Sequence, residues 1–419
     1  MSSFLSQPSP RRTASAVIPL FISRSLSDSE AVTRTGYLDL SSVLRKNTPP
    51  SEDPVLNTRS ARVALALAAG TLTLAACGSS GGGGSSTSAS GGPTNCATGS
   101  LKASGSSAQK NAITEWINTY QTDCPGSTIE YTANGSGAGI TDFTNAQTDF
   151  AGSDSALKEE EQPAADKRCA TGTALNIPMV GGAIALAYNL AGVDKLILNA
   201  EVTAGIFANA ITTWDDPKIA ALNPGVTLPS ASIAQFHRSD SSGTTGNFTK
   251  WLVAAAGTAW TFDTGKEWKA PGGQGSKGSD QVLASVKSTP NSIGYVELSF
   301  VQDVAGIGAA WIDNGSGPVE PSSGNAALTI ASAQVTGTGN NLSLKIDYAT
   351  QAANSYPAVL VTYEITCEKG LAAGQAALVK SFLTYTSSDA AQGELSAFGY
   401  VPITGDLLTK VRTAVASIS

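Results

Sequence analysis

Histidine is all but missing from this chain: one residue, His237, in 419. That scarcity removes most metal centres and most imidazole-dependent acid–base catalysis together. Aromatic residues are sparse at 6%, and charged residues make up only 14%, with a net charge of −7. An acidic balance excludes a nucleic-acid surface, which needs a basic face. Composition and period also exclude collagen-like, coiled-coil and multi-span membrane classes. What is there, at 41% hydrophobic with 43 glycines, is globular material with many tight turns and small-residue contacts, long enough for two core-bearing domains or one large one.

The only long apolar run starts at Val63 and ends at Ala76, too short for a spanning helix. It follows Arg59 and Arg62 and closes on Leu74-Ala75-Ala76-Cys77-Gly78. A basic segment, a short apolar segment and small residues before a cleavage point make a secretory signal. With Cys77 in the first mature position it resembles a bacterial lipoprotein signal, whose acylated thiol anchors the chain to the outer face of the cell membrane. Read instead as a core helix, the run leaves the Gly/Ser stretch from Gly78 to Gly92 without a purpose; behind an anchor it is a tether, residues 77–95. The leader is thus residues 1–76. Within it residues 1–54 play no part, because Val55 opens a natural start; they read as an over-long gene start or a long leader.

Beyond the anchor remain Cys96, Cys124, Cys169 and Cys367. An even count in an exported chain points to two disulfides, with three pairings open. Cys96 and Cys124 bracket one strand–helix unit, so joining them is the local solution. Cys169 and Cys367 would then staple distant segments. No zinc-like cysteine spacing exists, and no metal set or cofactor motif is found.

From residue 99 strands and helices alternate. A strand at 100–104 leads through Gly105-Ser106-Ser107 into a helix with apolar Ala108, Ala112, Ile113, Trp116, Ile117 and Tyr120, a clean helical stripe. A strand at 128–133, the turn Gly135-Ser136-Gly137 and a helix at 140–147 follow. A third strand ends at Asp154, and a helix is expected from Leu157. The grammar repeats: a buried strand at 180–188, a strand at 233–237 ending on Arg238-Ser-Asp-Ser-Ser-Gly-Thr244, a helix carrying Phe248, Trp251 and Leu252, a glycine-rich turn at 272–278 opening another helix, and strands at 293–300 and 359–365. Two amphipathic helices close the chain at 371–385 and 407–418. Such alternation means α/β with mainly parallel pairing.

Three strand-to-helix turns carry Gly, Ser or Thr clusters. Small residues leave the first N–H groups of each helix unobstructed, and those groups, with the helix dipole, attract anions. Each cluster alone also satisfies ordinary helix capping; three of them with one arginine point to an oxyanion pocket. Arg238 ends an apolar strand where the turns converge, placed to grip two oxygens as a fork or to pair with Asp240. Asp154 either caps the helix through Leu157 or accepts a hydrogen bond from a ligand that carries a proton, repelling one that has none. His237 neighbours Arg238 on a strand, so the two face opposite ways. No nucleophile elbow, zincin or phosphate-loop motif is present.

Ser104-Gly-Ser-Ser-Ala-Gln109, Gly135-Ser-Gly-Ala-Gly139, Asp149-Phe-Ala-Gly-Ser-Asp154, Trp214-Asp-Asp-Pro217, Leu222-Asn-Pro-Gly225, Arg238-Ser-Asp-Ser-Ser-Gly-Thr244 and Ile293-Gly-Tyr-Val-Glu297 occur in that order. The series resembles the phosphate-binding protein (PstS) of the bacterial high-affinity phosphate ABC transporter, in its high-GC Gram-positive lipoprotein branch, over roughly residues 97–419. The resemblance implies a two-lobed periplasmic-binding-protein-like fold with two crossing hinge strands, near Met179-Val180 and Asn354-Tyr356. Lobe 1 is then 96–179 with 355–419, and lobe 2 is 180–354. It implies inorganic phosphate as ligand, membrane permease subunits as partners, and no catalysis. The ligand residues it implies are Ser107, the N–H of Ala108, Ser136, Asp154 as proton acceptor, Arg238, and Ser242, Gly243 and Thr244, with Asp240 supporting the arginine. Ser107 and Ala108 stand where other branches have Thr and Phe. An exported phosphatase or a receptor for another oxyanion are the competing functions.

Overall fold

The computed structural model describes residues 95–419. The leader expected at 1–76, the expected acylation site Cys77 and the expected tether up to residue 94 lie outside the described residues.

The described chain starts with β1 (Gly99–Gly105), α1 (Lys110–Asp123), β2 (Ser127–Thr132), α2 (Ser136–Thr144), β3 (Phe150–Ser153) and α3 (Gln162–Arg168). β1 lies between β2 and β3, parallel to both. α1 buries Ala112, Ile113, Trp116, Ile117 and Tyr120, the stripe read from the sequence. α3 starts later than Leu157 because Pro163 is accepted only in the first helical turn.

β4 (Ala174–Asn189) is 16 residues long and buried at all but its last position. After it come β5 (Ala234–Arg238), α4 (Gly243–Ala255), β6 (Gln274–Ser276), α5 (Gly278–Ser288) and β7 (Ser292–Glu297). β5 lies between β6 and β7, again parallel to both. The strand expected over 293–300 stops at Glu297, and Leu298–Val301 turn into a short helix. β8 (Val359–Cys367), α6 (Ala373–Thr386), β9 (Tyr400–Pro402) and α7 (Gly405–Ser417) complete the chain.

The sheet order is β2-β1-β3-β8-β4-β7-β5-β6. Residues 174–183 of β4 pair with β8, and residues 184–189 pair with β7. One strand therefore leaves the first half-sheet and enters the second. These central pairings are antiparallel, unlike the mainly parallel sheet expected, because a strand that crosses and one that returns beside it must run in opposite directions. Each half packs its own aromatic cluster: Tyr120, Phe150, Phe382 and Tyr385 in the first, Phe207, Phe248, Trp268 and Tyr295 in the second.

The disulfides are Cys96–Cys124 and Cys169–Cys367. The first ties the strand β1 entry to the end of α1. The second fastens the end of α3 to the end of β8, 198 residues apart.

Candidate functional site

Four helices start in one place between the two half-sheets. From the first half come the turn before α1, with Ser106, Ser107 and Ala108, and the start of α2 at Ser136. The second half contributes the start of α4, with Ser242, Gly243 and Thr244, and the start of α5, with Gly278 and Ser279. Glycine makes the approach possible. Gly105 has φ +136°, and a Cβ there would overlap the carbonyl of Gly152. At Gly243 a Cβ would stand 2.6 Å from both Asp154 Cβ and Ser136 Oγ. So the N-terminus of α4 lies directly on the end of β3, with room for no side chain.

Asp154 follows β3 and is 2% exposed. Its Oδ1 accepts from Ser106 Oγ and, at 2.8 Å, from Thr362 Oγ1 of β8; its Oδ2 accepts from Ser136 Oγ at 3.1 Å. Oδ1 is thus filled and Oδ2 keeps one acceptor position. Burial raises the Asp154 pKa, against the hydroxyl donors and the charge of Arg238. It does not cap the helix expected from Leu157, since that helix begins at Gln162.

Arg238 ends β5 and is also 2% exposed. Its Nε and Nη2 donate to the two oxygens of Asp240 at 2.7 and 2.6 Å. The fork expected to grip a ligand is therefore taken by Asp240, and Arg238 offers the cleft its Nη1 edge. There Nη1 makes only two long contacts, 3.3 Å to Thr244 Oγ1 and 3.3 Å to Ser279 Oγ. Burial would lower the guanidinium pKa, but the hydrogen bonds and charge of Asp240 outweigh it and the net shift is upward. Burial likewise opposes ionisation of Asp240, yet Arg238 and the Gly278 N–H hold its pKa below the usual value.

The hydroxyls meet across the cleft. Ser107 Oγ lies 2.9 Å from Ser279 Oγ and accepts from the Ser279 N–H at 3.2 Å. Ser136 Oγ accepts from the Gly243 N–H at 3.2 Å, and Thr244 Oγ1 donates to Glu297. The Ala108 N–H points to Ser106 Oγ at 3.0 Å, and Ser242 Oγ caps α4 by accepting from Thr245 N–H at 3.1 Å. All nine residues singled out in the sequence thus sit at the junction. His237 does not: half-buried, it stacks on Trp268 with ring centroids 4.8 Å apart, and burial lowers its pKa.

Several neighbours escaped sequence reasoning. Ser106 lies in the Gly105-Ser106-Ser107 turn beside Ser107, and it is Ser106 that donates to Asp154. Ser279 follows the glycine-rich turn by one residue. Glu297 closes the Ile293–Glu297 motif inside the strand expected over 293–300, with no role read for it; it is buried, and burial raises its pKa against the charge of Arg238. Thr362 and Glu364 stand two apart in a strand buried at every position, and that alternate polar pair is the sequence signal for them. Among the described residues no group of three or more His, Cys, Asp or Glu side chains is arranged to hold a metal ion.

Beside Asp154 a cavity of about 230 Å³ opens between the halves, lined among others by Lys158, Lys250, Lys266 and Tyr348. Chemically, the junction is a buried cage of hydroxyl and N–H donors with one guanidinium edge and one acidic acceptor. That is a set for a small oxyanion which itself carries a proton.

A family model described as a PBP superfamily domain matches residues 90–390. The phosphate-binding protein PstS 3 of Mycobacterium tuberculosis is 43% identical over 360 residues, covering 84% of this chain and 97% of the relative. The chain belongs to the PstS family of phosphate-binding proteins. PstS 3 of Mycobacterium leprae is 42% identical over 373 residues, covering 87% of this chain and 100% of the relative. Among solved structures, the phosphate-binding protein of Stenotrophomonas maltophilia superposes with a TM-score of 0.60 at 19% identity, covering 75% of this chain and 94% of that one. At that identity the likeness concerns the fold alone, and it is the two-lobed fold of the PstS family.

Proposed function

We propose that the chain captures inorganic phosphate in the cleft between its halves and delivers it to the membrane permease subunits of an ABC transporter. The observation that carries this reading is the pairing of a buried, Asp240-backed Arg238 with a buried Asp154 that keeps one acceptor position, inside a ring of donors from both halves. Arginine and the donors compensate the ligand's charge; Asp154 accepts its proton and disfavours an oxyanion without one. The ligand set is Ser107, the Ala108 N–H, Ser136, Asp154, Arg238, Ser242, Gly243 and Thr244. Lobe 1 comprises residues 96–179 and 355–419 and lobe 2 residues 180–354, hinged where β4 and β8 cross. The chain is exported, as two disulfides accord with, and held to the outer face of the cell membrane through lipidated Cys77. It is a receptor rather than an enzyme, since the buried groups bind an anion and no activated nucleophile stands among them.

Calorimetric titration with phosphate and with sulfate tests this. The wild type is expected to bind phosphate and to reject sulfate, and Asp154→Asn to narrow the difference, because an amide can donate where a carboxylate only accepts. Equal binding of both anions by the wild type would overturn the assignment.

A further inference from the structure

Beneath Asp154, on the side away from Arg238's half, lies a second buried acid. Glu364 of β8 is 1% exposed and stands opposite Gly152 in the strand register, two residues along from Thr362, which bonds to Asp154. Among the described residues no cation pairs with it. Its neighbours form a relay to the site: the Gln109 amide donates to Tyr131 Oη at 3.0 Å, Tyr131 Oη donates to the Ser106 carbonyl at 2.8 Å, and Ser106 Oγ donates to Asp154. With Glu364 counted as a carboxylate, two buried oxygens of this network, Glu364 Oε2 and Gln109 Oε1, have no donor among the described residues. Uncompensated buried acceptors are costly, and an ionised carboxylate among them more so. A proton on Glu364 converts one of the orphaned acceptors into a donor and removes the second negative charge.

We propose that Glu364 is a positioning and specificity residue: held as the neutral acid, it carries the proton that Asp154 must not carry, leaving Asp154 the bare acceptor for the ligand's own hydrogen. The proposal rests on the phosphate reading of the site. Two buried carboxylates this near one another cannot both ionise cheaply, and their surroundings separate them. Asp154 has three hydroxyl donors and faces Arg238; Glu364 has neither. Burial first, then the charge of Asp154, pushes the Glu364 carboxyl up to about 8, with the Gln109 amide working against both. The titratable group acting on it is Asp154, just past β3; Glu364 acts in turn on Tyr131 of β2, whose pKa is raised by burial first and then by Glu364. Ile177, its partner on β4, carries no charge.

Two readouts on Glu364→Gln test this. Gln is neutral at every pH and nearly isosteric, so E364Q should bind phosphate at pH 7 within about threefold of the wild type. Above pH 8 the wild type should lose affinity as Glu364 ionises, and E364Q should not follow. The second readout needs no ligand. Between the ordinary value of 4.5 and about 8 the folded chain holds a proton that the unfolded chain has released, so wild-type stability falls with rising pH across that window. The Tm of E364Q minus that of the wild type should therefore grow from pH 5 to pH 8. A tenfold or greater loss of phosphate affinity in E364Q at pH 7, or a flat Tm difference, would overturn the proposal. If neither protein binds phosphate while the Tm difference follows the window, the ligand reading fails and the proton placement stands. Should E364Q not fold, the wild type's own Tm profile decides: no decline between pH 5 and 8 overturns it.

Discussion

Arg238 and His237 are adjacent in sequence and opposite in role, because β5 turns one side chain into the cleft and the other onto Trp268. Two of the guanidinium's nitrogens are fixed by Asp240, which leaves Nη1 aimed where the hydroxyls of Thr244 and Ser279 converge. Arg238→Ala removes both the fork on Asp240 and the charge-assisted donor, so Asp240 becomes an uncompensated carboxylate beside an anion. Loss of such a contact to a buried charge should weaken phosphate binding by about 2–5 kcal/mol, read as the change in calorimetric Kd. Arg238→Lys keeps the charge but loses the two-pronged geometry and should be damaged less. His237→Asn should leave the Kd nearly unchanged and lower Tm through the lost stacking. Phosphomonoester hydrolysis that disappears with His237 would reverse the ranking and make the protein a phosphatase. Both orientations were legible in the sequence, since a strand's period of two needs no coordinates. The choice between ligand fork and Asp240 fork was not: it depends on which guanidinium edge the turn at 239–241 reaches, a matter of backbone path that residue types do not encode.

At the level of elements, the site is a meeting of helix starts, and the closest approach is that of α4 to β3. Gly243 has an ordinary φ, so it is required for space and not for conformation. In Gly243→Ala the new Cβ would collide with Asp154 and Ser136 only when the two halves are together. The unliganded Tm should then change little while phosphate affinity falls at least about tenfold, since a ligand's apparent affinity scales with the population of the binding-competent state. An unchanged Kd would show that the two halves can separate there without loss. The disulfide from α3 to β8 makes a different prediction. Its loop encloses the whole second half, and removing a native disulfide typically costs about 2–5 kcal/mol. Cys169→Ser with Cys367→Ser should lower Tm clearly while leaving Kd close to wild type, because neither cysteine touches the junction. The main elements themselves were largely readable, through amphipathic stripes and glycine-rich turns. The reading failed where tertiary demands override local pattern: Leu157–Glu161 look helical yet form a turn ahead of Pro163, and the 293–300 strand breaks at Glu297 so that its carboxyl enters the cleft.

For the whole molecule the question is what holds the halves together around an anion when the chain itself is acidic. Screening confines surface charge to roughly 8 Å at physiological ionic strength, so the local groups decide, and they are basic at one end of the cleft. Lys158, Lys250 and Lys266 line the cavity beside Asp154. Lys266 reaches from the second half to Glu161 at the start of α3, 2.7 Å away, with its side chain 7% exposed. Asn247 of α4 donates to the Asp154 carbonyl at 2.6 Å, and the Gly137 N–H donates to the Ser241 carbonyl at 3.0 Å, two more bonds across the gap. These contacts exist only while the halves touch; apart, each group is solvated. Lys266→Gln should therefore act on closure rather than on folding. It leaves Glu161 partly buried without its cation, a loss between that of an exposed pair and a buried one, on the order of 1–2 kcal/mol. That corresponds to a phosphate Kd weakened roughly five- to thirtyfold, arising mainly from faster release, because the pair breaks as the cleft opens. Glu161→Gln should weaken binding to a similar degree, and the double variant by little more than either alone, since the two changes remove one shared interaction. Stopped-flow release of phosphate from the four proteins measures this directly. Additive losses in the double variant would show that Lys266 acts through the ligand's field instead, and would move the origin of closure to the ring of hydroxyls around Asp154.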